Sequence, residues 1–205
     1  MILTHGANSL PRGGGETVTI DGRKYPVHTH NGLTFITENL DLQFDGLTVN
    51  PPTTGSPYEE VPSAWYVNWD ETTYGWNGLK YGLFYNTPAF VYLNQHASEL
   101  FPGWHVMDDN ELLAIRGGLR TVALKAVGLW PNDNDGYPAT NETGFNLRPA
   151  SIMKWTDTFS GIGQNADFKC YRSNEIIRRS FKSSNTIDTN SNTRAGSPVR
   201  LVKDA

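Results

Sequence analysis

Between residues 16 and 28 the stretch ETVTIDGRKYPVH sets Val18 and Ile20 among polar neighbours, breaks at Asp21-Gly22, and resumes with Tyr25 and Val27. An alternation of period two interrupted by Asp-Gly predicts a β-hairpin. A short extended segment through Leu33, Phe35 and Ile36 follows. The period then changes. Thr87 is placed to cap a helix that begins at Pro88, and Phe90, Leu93, Ala97 and Leu100 form one apolar stripe along it. This helix is expected to end near Phe101-Pro102-Gly103. Asp108 followed by Glu111 makes a capping-box pattern, with Leu112, Leu113 and Ile115 behind it and Gly117-Gly118 as a stop, which predicts a second, short helix. Beyond it the apolar positions shrink to islands: Phe168, Cys170 and Tyr171, then Ile176, Ile177 and Phe181, then Val199, Leu201 and Val202. Such islands read as strands.

Three segments carry no sustained period. Residues 1–15 hold four Gly and one Pro and read as an extended arm; the body then spans 16–205. Residues 45–80 include PPTTGSP and the aromatics Trp65, Tyr66, Trp69, Tyr74 and Trp76, and are expected to form a long, partly ordered insertion. Its aromatics either pin loops to a satellite core or present a binding surface. Residues 183–197 are Ser, Thr or Asn at ten of fifteen positions, which by composition reads as a linker.

Composition narrows the class. In 205 residues there are 20 Gly, 12 Pro, 6 Trp and 9 Tyr but only 19% charged residues, which suits an irregular, loop-rich surface domain better than a helical bundle. No apolar run reaches 18 residues, so no membrane insertion is expected, and MILTHGANSLPRGGG lacks both the basic start and the apolar core of a cleaved export signal. The net charge of −4 is unevenly spread. Residues 1–165 carry 9 Lys+Arg against 17 Asp+Glu, whereas residues 166–205 carry 8 against 4. The C-terminal segment is thus a basic face on an acidic body, suited to anionic partners. The acidic total and the absence of a Lys/Arg tract disfavour nucleic acid. Cys170 stands alone, which excludes an intrachain disulfide and a four-cysteine zinc site.

Catalytic and metal patterns are incomplete. His28 and His30 would share one face of a strand, but no third ligand lies close in sequence. The run NDNDG at 132–136 places Asp133, Asp135, Gly136 and Glu142 at calcium-loop spacing, yet Pro131 would stand first and has no side-chain oxygen. A turn or a looser calcium site are the alternatives. His105 has no nucleophile signature beside it and reads as a structural hydrogen-bonding group. There is no Walker loop, dinucleotide fingerprint, GxSxG or HExxH. The chain is therefore read as a non-enzyme that needs no cofactor.

Six phrases, in order, carry a resemblance: FITENLDL at 35–42, YGLFYN at 81–86, FPGWHVMDDNELLAI at 101–115, LKAVGLW at 124–130, GFNLRPA at 144–150 and SPVRLVKD at 197–204. Over about residues 22–204 the chain resembles the Fibrobacter succinogenes major paralogous domain, a bacterial and phage surface module related to C-type lectin folds. The resemblance implies an α+β, C-type-lectin-like domain with two short helices and a small twisted antiparallel sheet. It also implies short surface strands rich in Ser, Asn and Tyr just before the last strand, where 183–197 falls, and recognition there of a host cell-surface glycan or protein. Arg172, Asn174, Arg178, Arg179, Lys182, Asn185, Asn190, Asn192 and Arg194 occupy that region here, and their forks and amides suit polar epitopes. Members of the family often carry a cysteine pair whose positions align with Leu100 and Leu201. An apolar pair in place of a bridge suits a reducing cytoplasm, as for a virion protein assembled inside its host. The implied partners are other virion proteins, met through the 1–15 arm, and further copies of the chain, a trimer foremost. The competing readings are a purely structural head-decoration, fibre or baseplate component, and an adhesin on the bacterial surface.

Overall fold

The computed structural model describes residues 15–50, 60–66, 81–131, 136–150, 152–153, 159–160, 163–182, 187–190 and 195–205. The protein is α+β, with short helices and mostly antiparallel strands. The expected hairpin forms from β1 (Thr17–Ile20) and β2 (Arg23–His30), paired from Ile20↔Arg23 to Thr17↔Pro26 across the Asp21-Gly22 turn. A second turn at Asn31-Gly32 leads into β3 (Leu33–Ile36), which pairs with β2.

Within the 45–80 segment the described residues, 45–50 and 60–66, include two strands. It contributes β4 (Thr48–Asn50) and β5 (Ser63–Tyr66), which pair in parallel, and β5 then pairs with β6 (Leu83–Tyr85). Ser63, Ala64 and Trp65 are fully buried, and Tyr66 is exposed at the end of the strand. Trp69, Tyr74 and Trp76 lie outside the described residues.

The predicted helix over 88–100 is corrected in two ways. Its cap is Asn86, not Thr87: the Asn86 side-chain oxygen accepts from the Ala89 and Ser63 backbone N–H groups at 3.0 Å each, and its amide donates to Val61 O. A buried Asn satisfies these neighbours together, which a Thr hydroxyl would not. The stripe is also split, into α1 (Thr87–Gln95) and α2 (Ala97–Leu100), at His96, which stacks on Tyr92. Ala89, Phe90 and Leu93 are buried, whereas Ala97 and Leu100 only half reach the same core. After β7 (His105–Val106), α3 (Asp109–Arg116) starts with the predicted capping box, in which Asp108 and Glu111 exchange hydrogen bonds at 2.8 Å, and stops at Gly117. A 3₁₀ turn follows at Thr121–Ala123.

The remaining strands are β8 (Ile152–Met153) with β9 (Phe159–Ser160), then β10 (Ala166–Arg172), β11 (Glu175–Phe181), β12 (Ile187–Asn190) and β13 (Leu201–Asp204). Residues 187–190, read from composition as part of a linker, pair with β11. The last strand inserts between β3 and β7, giving a five-stranded sheet in the order β1-β2-β3-β13-β7, while β10-β11-β12 form a separate sheet. Two apolar clusters result. One joins the first sheet to α1 through Tyr25, Ile36, Leu83, Phe90 and Leu201; the other joins α3 to β10 and β11 through Leu112, Ile115, Phe145, Phe168 and Phe181. Leu201 is fully buried within the first cluster, and Leu100 is half-buried at the edge of that cluster.

Several of the phrases quoted above have physical reasons that meet in one place. Gly82 in YGLFYN has φ +74, and a Cβ there would fall 2.7 Å from Leu40 O; Gly144 in GFN has φ +70, and a Cβ would fall 2.3 Å from the His28 ring. Both positions need glycine for its backbone angle and for space. Arg200, 1% exposed, joins three phrases: its Nε donates to Asn39 Oδ1 (3.2 Å), one terminal nitrogen to Phe145 O and the other to Asn146 O (3.2 Å). Its guanidinium lies 4.2 Å from the Phe145 ring centroid. Burial, and to a lesser degree Arg148, lower its pKa to about 9.

Candidate functional site

The expected recognition surface is built on β10, β11 and β12. Strands β10 and β11 pair along their whole length, from Ala166↔Phe181 to Arg172↔Glu175, so the turn between them falls at Ser173-Asn174. Both turn residues take positive φ (48° and 71°), the geometry of a tight primed hairpin turn. Arg172, Ser173, Asn174 and Glu175 are all exposed at this tip.

Alternation divides the rest of the sheet into two faces. One carries Ala166, Phe168, Phe181 and Ile187 onto the α3 core. Arg179 shares this face. Its Nε donates to Asp109 Oδ1 at 2.5 Å and a terminal nitrogen to Oδ2 at 2.6 Å, a bidentate pair, while the other terminal nitrogen donates to Thr189. The Arg179 and Asp109 side chains are only 12% and 2% exposed. The hydrogen bonds that Arg179 donates to Asp109 raise its pKa. Because Asp109 opens α3, this pair ties the sheet to the helix N-terminus, where a carboxylate is also favoured by the helix dipole.

The opposite face carries Asp167, Lys169, Arg178, Ser180 and Asp188, in register across the three strands. Arg178 Nε lies 3.2 Å from Asp167 Oδ1, with side chains 13% and 4% exposed, and Ser180 Oγ donates to the same oxygen. Desolvation outweighs these partners and raises the Asp167 pKa to about 6. Lys169 is buried: its Nζ donates to Ala195 O (2.9 Å) and Tyr85 O (3.2 Å) and lies 3.3 Å from Thr87 Oγ1. Burial, then the nearby Arg178, push its pKa well below the usual lysine value. Cys170 is buried too, and desolvation raises its thiol to about 12, so it supplies no thiolate at neutral pH.

The nine predicted contact residues therefore separate. Arg172 and Asn174 are exposed at the hairpin tip. Lys182 is exposed and paired with Asp188. Arg178 and Arg179 are corrected: they face opposite sides of β11 and are held in largely buried internal ion pairs, so they do not form a joint exposed patch. Asn190 lies in β12, and its side chain is outside the described part. Asn185, Asn192 and Arg194 lie outside the described residues, as do Asp133 and Asp135 of the calcium-like run.

Two of the histidines singled out in the sequence have described ring or side-chain partners. His28 packs edge-on against Phe35, and His105 Nε2 sits 2.6 Å from Glu111 Oε1. Among the described residues no group of three His, Cys, Asp or Glu side chains is placed to hold a metal ion, and no helix is long and apolar enough to cross a membrane.

Comparison with known proteins gives no match to a family model, to a curated protein or to a solved structure.

Proposed function

We propose that the chain is a non-enzymatic recognition module of a virion, with a C-type-lectin-like fold, that binds a host cell-surface glycan or protein through the tip of the β10–β11 hairpin. The observation that carries this reading is the contrast within one basic segment. Arg178 and Arg179 are engaged inside the fold, whereas Arg172 and Asn174 stand exposed at a tight turn, and Arg172 has no ion-pair partner among the described residues. The tight turn fixes the backbone beneath this guanidinium and amide, and both groups suit polar epitopes. The six ordered phrases supply the family reading. Four of them, FITENLDL, YGLFYN, GFNLRPA and SPVRLVKD, meet around Arg200, Gly82 and Gly144, which supports treating these as parts of one fold.

The test is binding of the labelled chain to an array of bacterial surface glycans and to intact cells. The informative variant is R172A/N174G, because glycine keeps the positive φ of the turn while removing the amide. Loss of binding with unchanged thermal unfolding supports the assignment; unchanged binding refutes it. In the same reading residues 1–15 dock the module onto other virion proteins. Their deletion is expected to abolish assembly and leave the unfolding temperature unchanged.

A further inference from the structure

On the first sheet, away from the β10–β11 hairpin, the body holds a groove of about 320 Å³ lined by Glu16, Val18, Val27, Thr34, Trp104 and Lys203. That volume falls at the lower end of the range of small-molecule sites, about 300–1,000 Å³. Its lining is sorted by chemistry. Lys203 extends from β13 and rests its ammonium 5.1 Å from the centroid of the Trp104 ring, which is itself only 8% exposed. The cation–π contact holds the ammonium in place. It also occupies the indole face, so the ring is not free to stack on a sugar. Neither Lys203 nor Glu16 has an ion-pair partner among the described residues, in contrast to Arg23, Arg178, Arg179 and Lys182. Val18 and Val27 supply an apolar wall, and the Thr34 hydroxyl is already hydrogen-bonded to Thr29 at 2.8 Å.

A held cation and a carboxylate unpaired among the described residues line one groove, with apolar side chains beside them, and complement a small molecule that carries both charges. We propose that this groove binds an amino-acid-sized zwitterion, such as a short peptide with free termini, with its carboxylate on Lys203 and its ammonium on Glu16. The site is independent of the hairpin tip. It needs no metal, since an ammonium and a carboxylate meet their charges directly.

The experiment is an NMR titration of the ¹⁵N-labelled full chain with alanylalanine, alongside its N-acetyl form, its C-terminal amide and glucose, each at millimolar concentration. The dipeptide is expected to shift the resonances of Val18, Val27, Thr34 and the Trp104 indole N–H, with affinity reduced about tenfold or more in either blocked form. The K203M variant, which keeps the alkyl stem against Trp104, is expected to lose the preference for the free carboxylate. E16Q should lose the preference for the free amine. Absence of shifts at these residues, equal shifts with glucose, or K203M binding the dipeptide as tightly as the natural chain each overturns the proposal.

Discussion

Replacing Arg179 with Ala removes one member of a bidentate pair whose side chains are 12% and 2% exposed. The Asp109 carboxylate is then left buried without its counter-ion, a change that typically costs about 3–5 kcal/mol. Two features place the expected value at the low end. Asp109 stands in the first turn of α3, where the helix dipole returns about 0.3–1 kcal/mol to a carboxylate. The Arg179–Thr189 hydrogen bond is exposed and contributes little. A loss of about 3 kcal/mol in a chain of this length lowers the unfolding temperature by about 6–12 °C. The assay is thermal and urea unfolding followed by circular dichroism, with D109A and R179M/D109L beside R179A. Both single variants should fall by similar amounts, and the double variant should recover most of the loss, because an apolar pair of similar volume replaces a buried ion pair at little cost. An R179A shift of under about 2 °C, or strictly additive single effects, would refute the claim that this arginine is an internal tie.

Other consequences are open to measurement. The Asp167 pKa is raised from 3.8 to about 6, so between these values the folded chain holds a proton that the unfolded chain releases. This group's contribution therefore favours folding below pH 3.8 and weakens as pH rises to about 6; D167N should flatten the stability profile across that window, and a profile unchanged by the substitution would contradict the assignment. Leu201→Ala, at a fully buried position, should cost about 2–5 kcal/mol. Leu100→Ala should cost less, since that side chain is half-buried; the reverse order in urea melts would contradict the packing described.

Two local signals, each with its partner close in sequence, were legible. The hairpin at Asp21-Gly22 and the capping box from Asp108 to Glu111 each involve residues a few positions apart, and both form as read. At Asn86-Thr87-Pro88 two adjacent residues can each cap, and what selects Asn86, whose oxygen also accepts from Ala89 N–H, is its bonding to Val61 and Ser63 more than twenty residues away. The arginine pair illustrates the same limit. Arg178 and Arg179 look like one basic patch along the chain, yet a strand sends neighbours to opposite faces, and the acids that receive them are Asp167 and Asp109. The interleaving of Asp167 and Lys169 with Ala166, Phe168 and Cys170 was a visible hint of a charged face opposite the core. That both would be buried depends on what covers the face, such as the Tyr85 and Ala195 carbonyls, which no local pattern encodes. The strands inside 45–66 were hidden by a composition rich in Gly, Pro and Thr, since their pairing joins β4, β5 and β6 across long intervals.

The most direct test of the recognition reading is the binding of R172A/N174G, R179A and the natural chain to cells and to surface glycans, with and without chelator, below the unfolding temperature of the weakest variant. The account predicts that R172A/N174G loses binding while remaining folded, that R179A binds normally though less stable, and that chelator changes nothing. Binding retained by R172A/N174G, or abolished by chelator, would contradict it.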